Sequence, residues 1–167
     1  MNRHAAPPSV LYFHPIPEHD GIAQGFGAAP ETYARAGMTG HNGIDFAAEV
    51  GTEVIAAMDG TVRHAGPGDV GPFAWLLGNA AGLAILVEHE VDGLRILTGY
   101  AHLSELLVGV GYEVMGGEPI AASGATGHVG GPHLHFELIP LGPKGEVWTG
   151  NGALGRVDPT VLTEPRD

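Results

Sequence analysis

Gly131-Pro132-His133-Leu134-His135-Phe136-Glu137-Leu138 alternates polar and apolar residues from His133 onward. A period of two is that of a β-strand, which places His133, His135 and Glu137 on one face and Leu134, Phe136 and Leu138 on the other. The apolar face belongs in a core. On the polar face two imidazoles point the same way, and burying both would require partners for their ring nitrogens. A polar groove or a metal accounts for them better.

Upstream, the chain reads as short strands and turns. Glu53-Val54-Ile55-Ala56-Ala57 and Thr61-Val62-Arg63-His64 flank Asp59-Gly60, and Leu83–Val91 and Leu94–His102 flank Asp92-Gly93. Asp-Gly between apolar runs is a strong hairpin signal, so both pairs are expected to be hairpins. The segment 66–82 between them forms a long loop whose Phe73, Trp75 and Leu76 cap the core or wall a groove; such loops are often functional. A short echo links Val50-Gly51-Thr52-Glu53-Val54 with Val110-Gly111-Tyr112-Glu113-Val114, each leading into Ile-Ala-Ala. Two related units packed as a sandwich would explain it. Gly25-Phe26-Gly27 marks a turn, and Pro30–Ala36 suits one or two helical turns opened by a proline.

Residues 1–20 read as a loose N-terminal arm with a short strand at Val10–Phe13, and 161–167 as a C-terminal tail. His4, His14 and His19 in the arm are expected to be exposed, His64 to lie on a strand surface, and His89 to be structural. The chain of 167 residues holds 28 glycines and 13 prolines, which suits a mainly β fold: an antiparallel β-sandwich or barrel-sandwich hybrid with short helical turns and long loops.

Nineteen acidic against seven basic residues give a formal charge of −12, which repels phosphate backbones and excludes nucleic acid as a partner. The same charge gives no help in holding an anionic cell wall, so attachment there would fall to groove contacts or to a separate module. With no cysteine, a metal must be held by His, Asp and Glu. No apolar run suggests a secretory signal or a membrane span, and a monomer is expected.

His41-Asn42-Gly43-Ile44-Asp45 can bring an imidazole and a carboxylate together through a turn into a strand, or Asp45 can merely cap that turn. Together with His102, His133 and His135 this makes four histidines and one carboxylate. A catalytic zinc needs three protein ligands and an open position, so some are left for proton transfer.

His41-x-x-x-Asp45, Tyr100-Ala101-His102-Leu103 and Gly131-Pro132-His133-Leu134-His135-Phe136-Glu137 resemble, in order, the signatures of the lysostaphin/LytM-type zinc metalloendopeptidases of peptidoglycan. The likeness runs over about 21–160, the expected catalytic domain, and ends at Val157-Asp158-Pro159. It implies a duplicated hybrid motif fold, one Zn²⁺ per chain held by His41, Asp45 and His135, and His102 and His133 as unliganded catalytic histidines. Asn42, Tyr100 and His128 are expected to contact the substrate, a peptidoglycan stem peptide or cross-bridge at the bacterial cell wall. Tyr33 is the nearest counterpart of a tyrosine that assists the oxyanion in some members. A non-catalytic wall-binding or regulatory member of the same fold is the alternative; a carrier-like sandwich would need a modifiable lysine at a hairpin tip, and Lys144 lies outside either echo. A histidine-rich metal-storage protein would not need three ordered motifs.

Overall fold

The computed structural model describes residues 12–162. Nine strands make a mainly antiparallel β structure: β1 (Ile22–Gln24), β2 (Ile44–Ala47), β3 (Glu53–Ile55), β4 (Gly60–Pro67), β5 (Leu83–Val91), β6 (Leu94–Leu106), β7 (Glu113–Val114), β8 (Pro119–Ser123) and β9 (His133–Pro140). Two single-turn helices, α1 (Pro30–Tyr33) and α2 (Ala74–Leu77), and short 3₁₀ turns complete it. The strands run in the order β1-β2-β9-β6-β5-β4-β7, while β3 and β8 form a separate pair attached through β8 to β6.

Long β6 holds these parts together. Its residues 96–101 pair with β9, and past a register break Leu103–Leu106 pair with β8. The pairing with β5 breaks register at the same place, between Leu83↔Leu103 and Ile85↔Tyr100. A strand that crosses from one layer to another needs such an irregularity. His102 stands there with a left-handed φ of 63°.

Asp92-Gly93 joins β5 to β6 as expected: Val91 faces Leu94, and both turn residues have positive φ, 51° and 78°, as a primed two-residue turn requires. Asp59-Gly60 does not make the expected hairpin. β3 pairs instead with β8 (Glu53↔Ala122, Val54↔Ala121), and β4 pairs with β7 (Gly60↔Val114, Thr61↔Glu113). The first strand of each echo therefore pairs with the second strand of the other. This exchange ties the two units into one core, so the local turn signal loses to longer-range pairing.

That core places Ile44, Phe46, Val54, Val62, Ile85, Val87, Tyr100, Leu103, Ile120, Leu134 and Phe136 together. Burying a side chain such as Phe136 contributes roughly 1.5–3 kcal/mol. A second cluster, Leu76, Leu86, Leu97 and Ile139 with Phe73, Leu77 and Val147 against it, covers the other face of β5 and β6. The 66–82 loop thus caps a core through Leu76 and Phe73, whereas Trp75 is exposed.

Residues 12–20 are not loose. Phe13 N–H donates to Ala57 O, Pro15 O accepts from Ile55, Asp20 N–H donates to Ala47 O, and Ile16 is fully buried. Tyr12 and Phe13 form no strand, and the rest of that expected strand, like His4, lies outside the described residues. His14 and His19 are half-buried rather than exposed: their rings stack 4.7 Å apart and both lean on Phe46. His64 is buried, not on the surface. His89 is structural, with Nδ1–H donating to Asp59 O (2.7 Å) and Nε2 against Thr98 Oγ1 (2.7 Å).

Candidate metal centre and groove

β9 pairs with β2 so that Asp45 faces His135 and Ala47 faces His133. Cross-strand partners project to the same side, which puts Asp45 beside both histidines. His41 precedes β2 by a turn whose backbone is held by Gly27 N–H donating to His41 O. The result is a close triangle. His135 Nδ1 lies 2.9 Å from Asp45 Oδ1, His41 Nε2 lies 3.3 Å from the same oxygen, and the two nitrogens are 3.1 Å apart.

Three electron-pair donors at such separations suit a single cation. Tetrahedral ligands at about 2.0–2.1 Å from a zinc ion stand about 3.3 Å from one another, so the triangle has the right dimensions. The ring tautomers agree. His41 Nδ1 has Gly25 O as acceptor (3.1 Å) and His135 Nε2 has the Glu137 carboxylate at 3.9 Å, so each ring, when neutral, can keep its proton there and turn a lone pair on His41 Nε2 and His135 Nδ1 to a cation. His41, Asp45 and His135 are the residues that could hold a metal.

Charge is arranged to match. Burial works against the Asp45 carboxylate, but when His135 Nδ1 and His41 Nε2 carry protons their hydrogen bonds outweigh it and hold the group well below the usual range; a cation would take the place of those protons. Burial also works against a charged His135, yet the carboxylates of Asp45 and Glu137 push it up to about 9. Glu137, buried as well, is brought down to about 2 by Arg156 and then by His135.

Two further histidines border the triangle. His133 Nε2 is 3.6 Å from Asp45 Oδ1, and its Nδ1–H donates to Gly131 O (2.9 Å). His102 lies 4.7 Å from the His133 ring and 6.0 Å from that of His135, with Nδ1–H donating to Thr126 O (2.8 Å). Burial, and then the neighbouring His135, push His102 down to about 4, so it is neutral at neutral pH with Nε2 available to accept a proton.

These five residues lie in one groove of about 390 Å³. Leu76, Leu77, Ala80 and Ala81 from the 66–82 loop form one side, so that loop walls the groove as well as capping the core. Gln24, Tyr33 and Met38 also line it; the Tyr33 hydroxyl donates to Gln24 Oε1 (2.8 Å), and its ring is 5.4 Å from that of His41. Burial and the Asp45 charge raise the Tyr33 hydroxyl above its ordinary value. Asn42 and His128 line the groove. Tyr100 does not. It is fully buried, its hydroxyl accepting from Ala57 N–H (2.9 Å) and sharing a hydrogen bond with Thr98, because its position on β6 faces the core.

Sequence reasoning missed Arg156, which is buried at the groove end and paired with Glu137. Nothing local marks it, since its partner is nineteen residues earlier. It also missed Gly43. A Cβ there would stand 2.6 Å from His135 Cε1 and 2.6 Å from Phe136 O, so only glycine lets the His135 ring approach the β2 backbone. The signal was present in His41-Asn42-Gly43-Ile44-Asp45, where the glycine was read only as a turn marker.

Residues 39–146 match the model of Peptidase family M23. Among curated proteins, the peptidoglycan DD-endopeptidase ShyA of Vibrio cholerae is 41% identical over 106 residues, 61% of this chain and 21% of that protein. Glycyl-glycine endopeptidase ALE-1 of Staphylococcus capitis is 39% identical over 116 residues, 70% of this chain and 29% of that one. The chain therefore spans under a third of these relatives. Among solved structures, the catalytic domain of lysostaphin from Staphylococcus simulans aligns with TM-score 0.64 and 28% identity over 86% of this chain and 92% of that one. A zinc-containing peptidase from Vibrio cholerae aligns with TM-score 0.67 and 26% identity, over 94% and 40%.

Proposed function

Because this chain belongs to peptidase family M23, we propose that it is a zinc-dependent endopeptidase that hydrolyses peptide bonds in peptidoglycan stem peptides or cross-bridges. The observation that carries the reading is the donor triangle of His41, Asp45 and His135, with edges of 2.9–3.3 Å, lying open to a groove. The names of the relatives supply the substrate class. The site of action on this reading is the bacterial cell wall.

His41 Nε2, Asp45 Oδ1 and His135 Nδ1 are the zinc ligands in this proposal. Zinc there supplies Lewis acidity toward the scissile carbonyl and lowers the pKa of water. His102, kept neutral and oriented by Thr126 O, takes the proton of the attacking water at Nε2 and passes it to the leaving amine. His133, oriented by Gly131 O, donates from Nε2 to the oxygen that gains charge when its ring carries protons on both nitrogens. Tyr33 is a second donor once its hydroxyl turns from Gln24 Oε1 to the substrate. The small residues Ala80, Ala81 and Gly130 leave room beside the histidines for peptides with small side chains.

The test is elemental analysis of the purified chain together with loss of turbidity of purified cell walls, for wild type and His135→Ala. About one zinc per chain with lysis, and loss of both in the variant, is the expected result. A folded wild type that takes up no zinc from zinc-replete buffer rejects the ligand assignment.

A further inference from the structure

Arg156 and Glu137 form an ion pair in which each side chain is 3% exposed. An isolated buried pair is weak evidence of anything, since its desolvation cost can exceed its attraction. This pair is not isolated. The remaining guanidinium donors reach Leu154 O (Nη1, 3.0 Å) and Leu76 O (Nη2, 2.8 Å), so a single planar fork spans β9, the groove wall and the C-terminal segment. The segment is itself clamped: Asn151 Nδ2 donates to Arg156 O (2.8 Å), while Asn151 Oδ1 accepts from Ala153 N–H (3.1 Å) and Gly155 N–H (2.9 Å). A bridge between Leu138 and Val157 lays it along β9.

Next in line is the metal triangle. The Glu137 carboxylate that Arg156 holds faces His135 Nε2, and the opposite nitrogen of that ring is the one directed at Asp45. A ligating imidazole needs an acceptor on its other nitrogen to fix tautomer and ring orientation. Glu137 can serve only while its carboxylate is aimed at that nitrogen, and Arg156 holds it there.

We propose that Arg156 is a positioning residue for the metal site: through Glu137 it fixes the His135 ring with Nδ1 open to the metal, and through Leu76 O it sets the adjoining groove wall. The C-terminal segment around Arg156, beyond the matched span 39–146, is then a working part of the site. Lysine cannot replace it, because a single ammonium lacks the planar fork that meets a carboxylate and two carbonyls in different directions. The inference rests on the ligand assignment made above.

The experiment measures zinc affinity of the full chain by chelator competition, the absorption spectrum of the cobalt-substituted protein, and the melting temperature of the metal-free protein. Variants are Arg156→Met, Arg156→Lys and the double variant Glu137→Met with Arg156→Met, which removes both charges and keeps the chain foldable if a lone buried carboxylate does not. The expected result is a roughly 10–100-fold loss of zinc affinity in all three with an altered cobalt spectrum, the double variant melting above Arg156→Met without regaining affinity. Wild-type zinc affinity and cobalt spectrum in the double variant, whatever its melting temperature, make the pair a structural tie only and overturn the proposal. A wild-type chain that binds no zinc instead rejects the ligand assignment, and the proposal with it.

Discussion

Gly43→Ala tests whether the close contact of β2 with the His135 ring sets the size of the metal triangle. The added Cβ would lie 2.6 Å from His135 Cε1, 2.8 Å from its Nε2 and 2.6 Å from Phe136 O. Ordinary carbon contacts begin near 3.5 Å, so about 0.9 Å must be found. Phe136 O belongs to the backbone paired with Ile44, and the ring is held between Asp45 and Glu137, so neither can yield alone. The β2 and β9 strands must part where Asp45 faces His135. Donor separations of 2.9–3.3 Å would then widen toward 4 Å, beyond the roughly 3.3 Å that a tetrahedral zinc spans. Overpacking of this kind costs about 1–3 kcal/mol. If that falls on the metal-bound state, zinc affinity drops roughly 5–150-fold, since about 1.4 kcal/mol is tenfold. Chelator competition measures the loss, and wall turbidity should follow it. Gly60→Ala is the control: it crowds Glu88 O and His89, away from the metal, and should lower the melting temperature while leaving zinc affinity unchanged. Gly43→Ala protein with wild-type zinc affinity and lysis would refute the reasoning.

His102→Ala and His133→Ala should each retain about one zinc while turnover falls by roughly 10²–10⁴, measured on purified walls; loss of zinc in either reassigns that residue to the ligand set. Leu76→Ala removes a buried side chain from the cluster with Leu86, Leu97 and Ile139 and should cost about 2–5 kcal/mol in chemical denaturation, with zinc still bound and KM raised because the groove wall loosens. Stability of the metal-free chain should fall as pH drops below about 6.5. Burial lowers His14 and His89 below that ordinary value, so on acidification the unfolded chain takes up protons first and is favoured. Above about 6.5 both states are neutral at these rings and the contribution is level; His89→Gln should flatten the acid limb in urea melts at stepped pH, and an unchanged limb would remove His89 from the account.

The β9 strand, the Asp92-Gly93 hairpin and the α1 turn were legible because each is written in contiguous residues. Alternation over eight positions fixes which side of β9 holds the histidines, and two positive φ values fix a primed turn. Asp59-Gly60 carries the same turn signal and fails, since β3 and β4 each find a better partner in the other half of the echo. Strand partners are chosen by shared burial across long stretches of chain, and a dipeptide does not encode that. Tyr100 was misread for a related reason. It is two residues from His102, but the register break between them turns neighbouring residues to different surroundings, and the phenol ends in the core.

His102 shows why the site sits where it does. Outside glycine, a left-handed residue costs about 1–3 kcal/mol and persists only where its surroundings over-determine it. Here they do: Leu103 beyond it pairs with both Leu83 and Ser123, Ala101 before it pairs with His135, and its own ring is fixed on Thr126 O. A straight β6 would have continued beside β9 and could not have reached β8. The bend that passes β6 from one layer to the other is also what sets His102 within 4.7 Å of the His133 ring. Straightening β6 would therefore move His102, the proposed base, away from the proposed metal ligands and open the core together, which accounts for the strain being held at this residue and not in a loop.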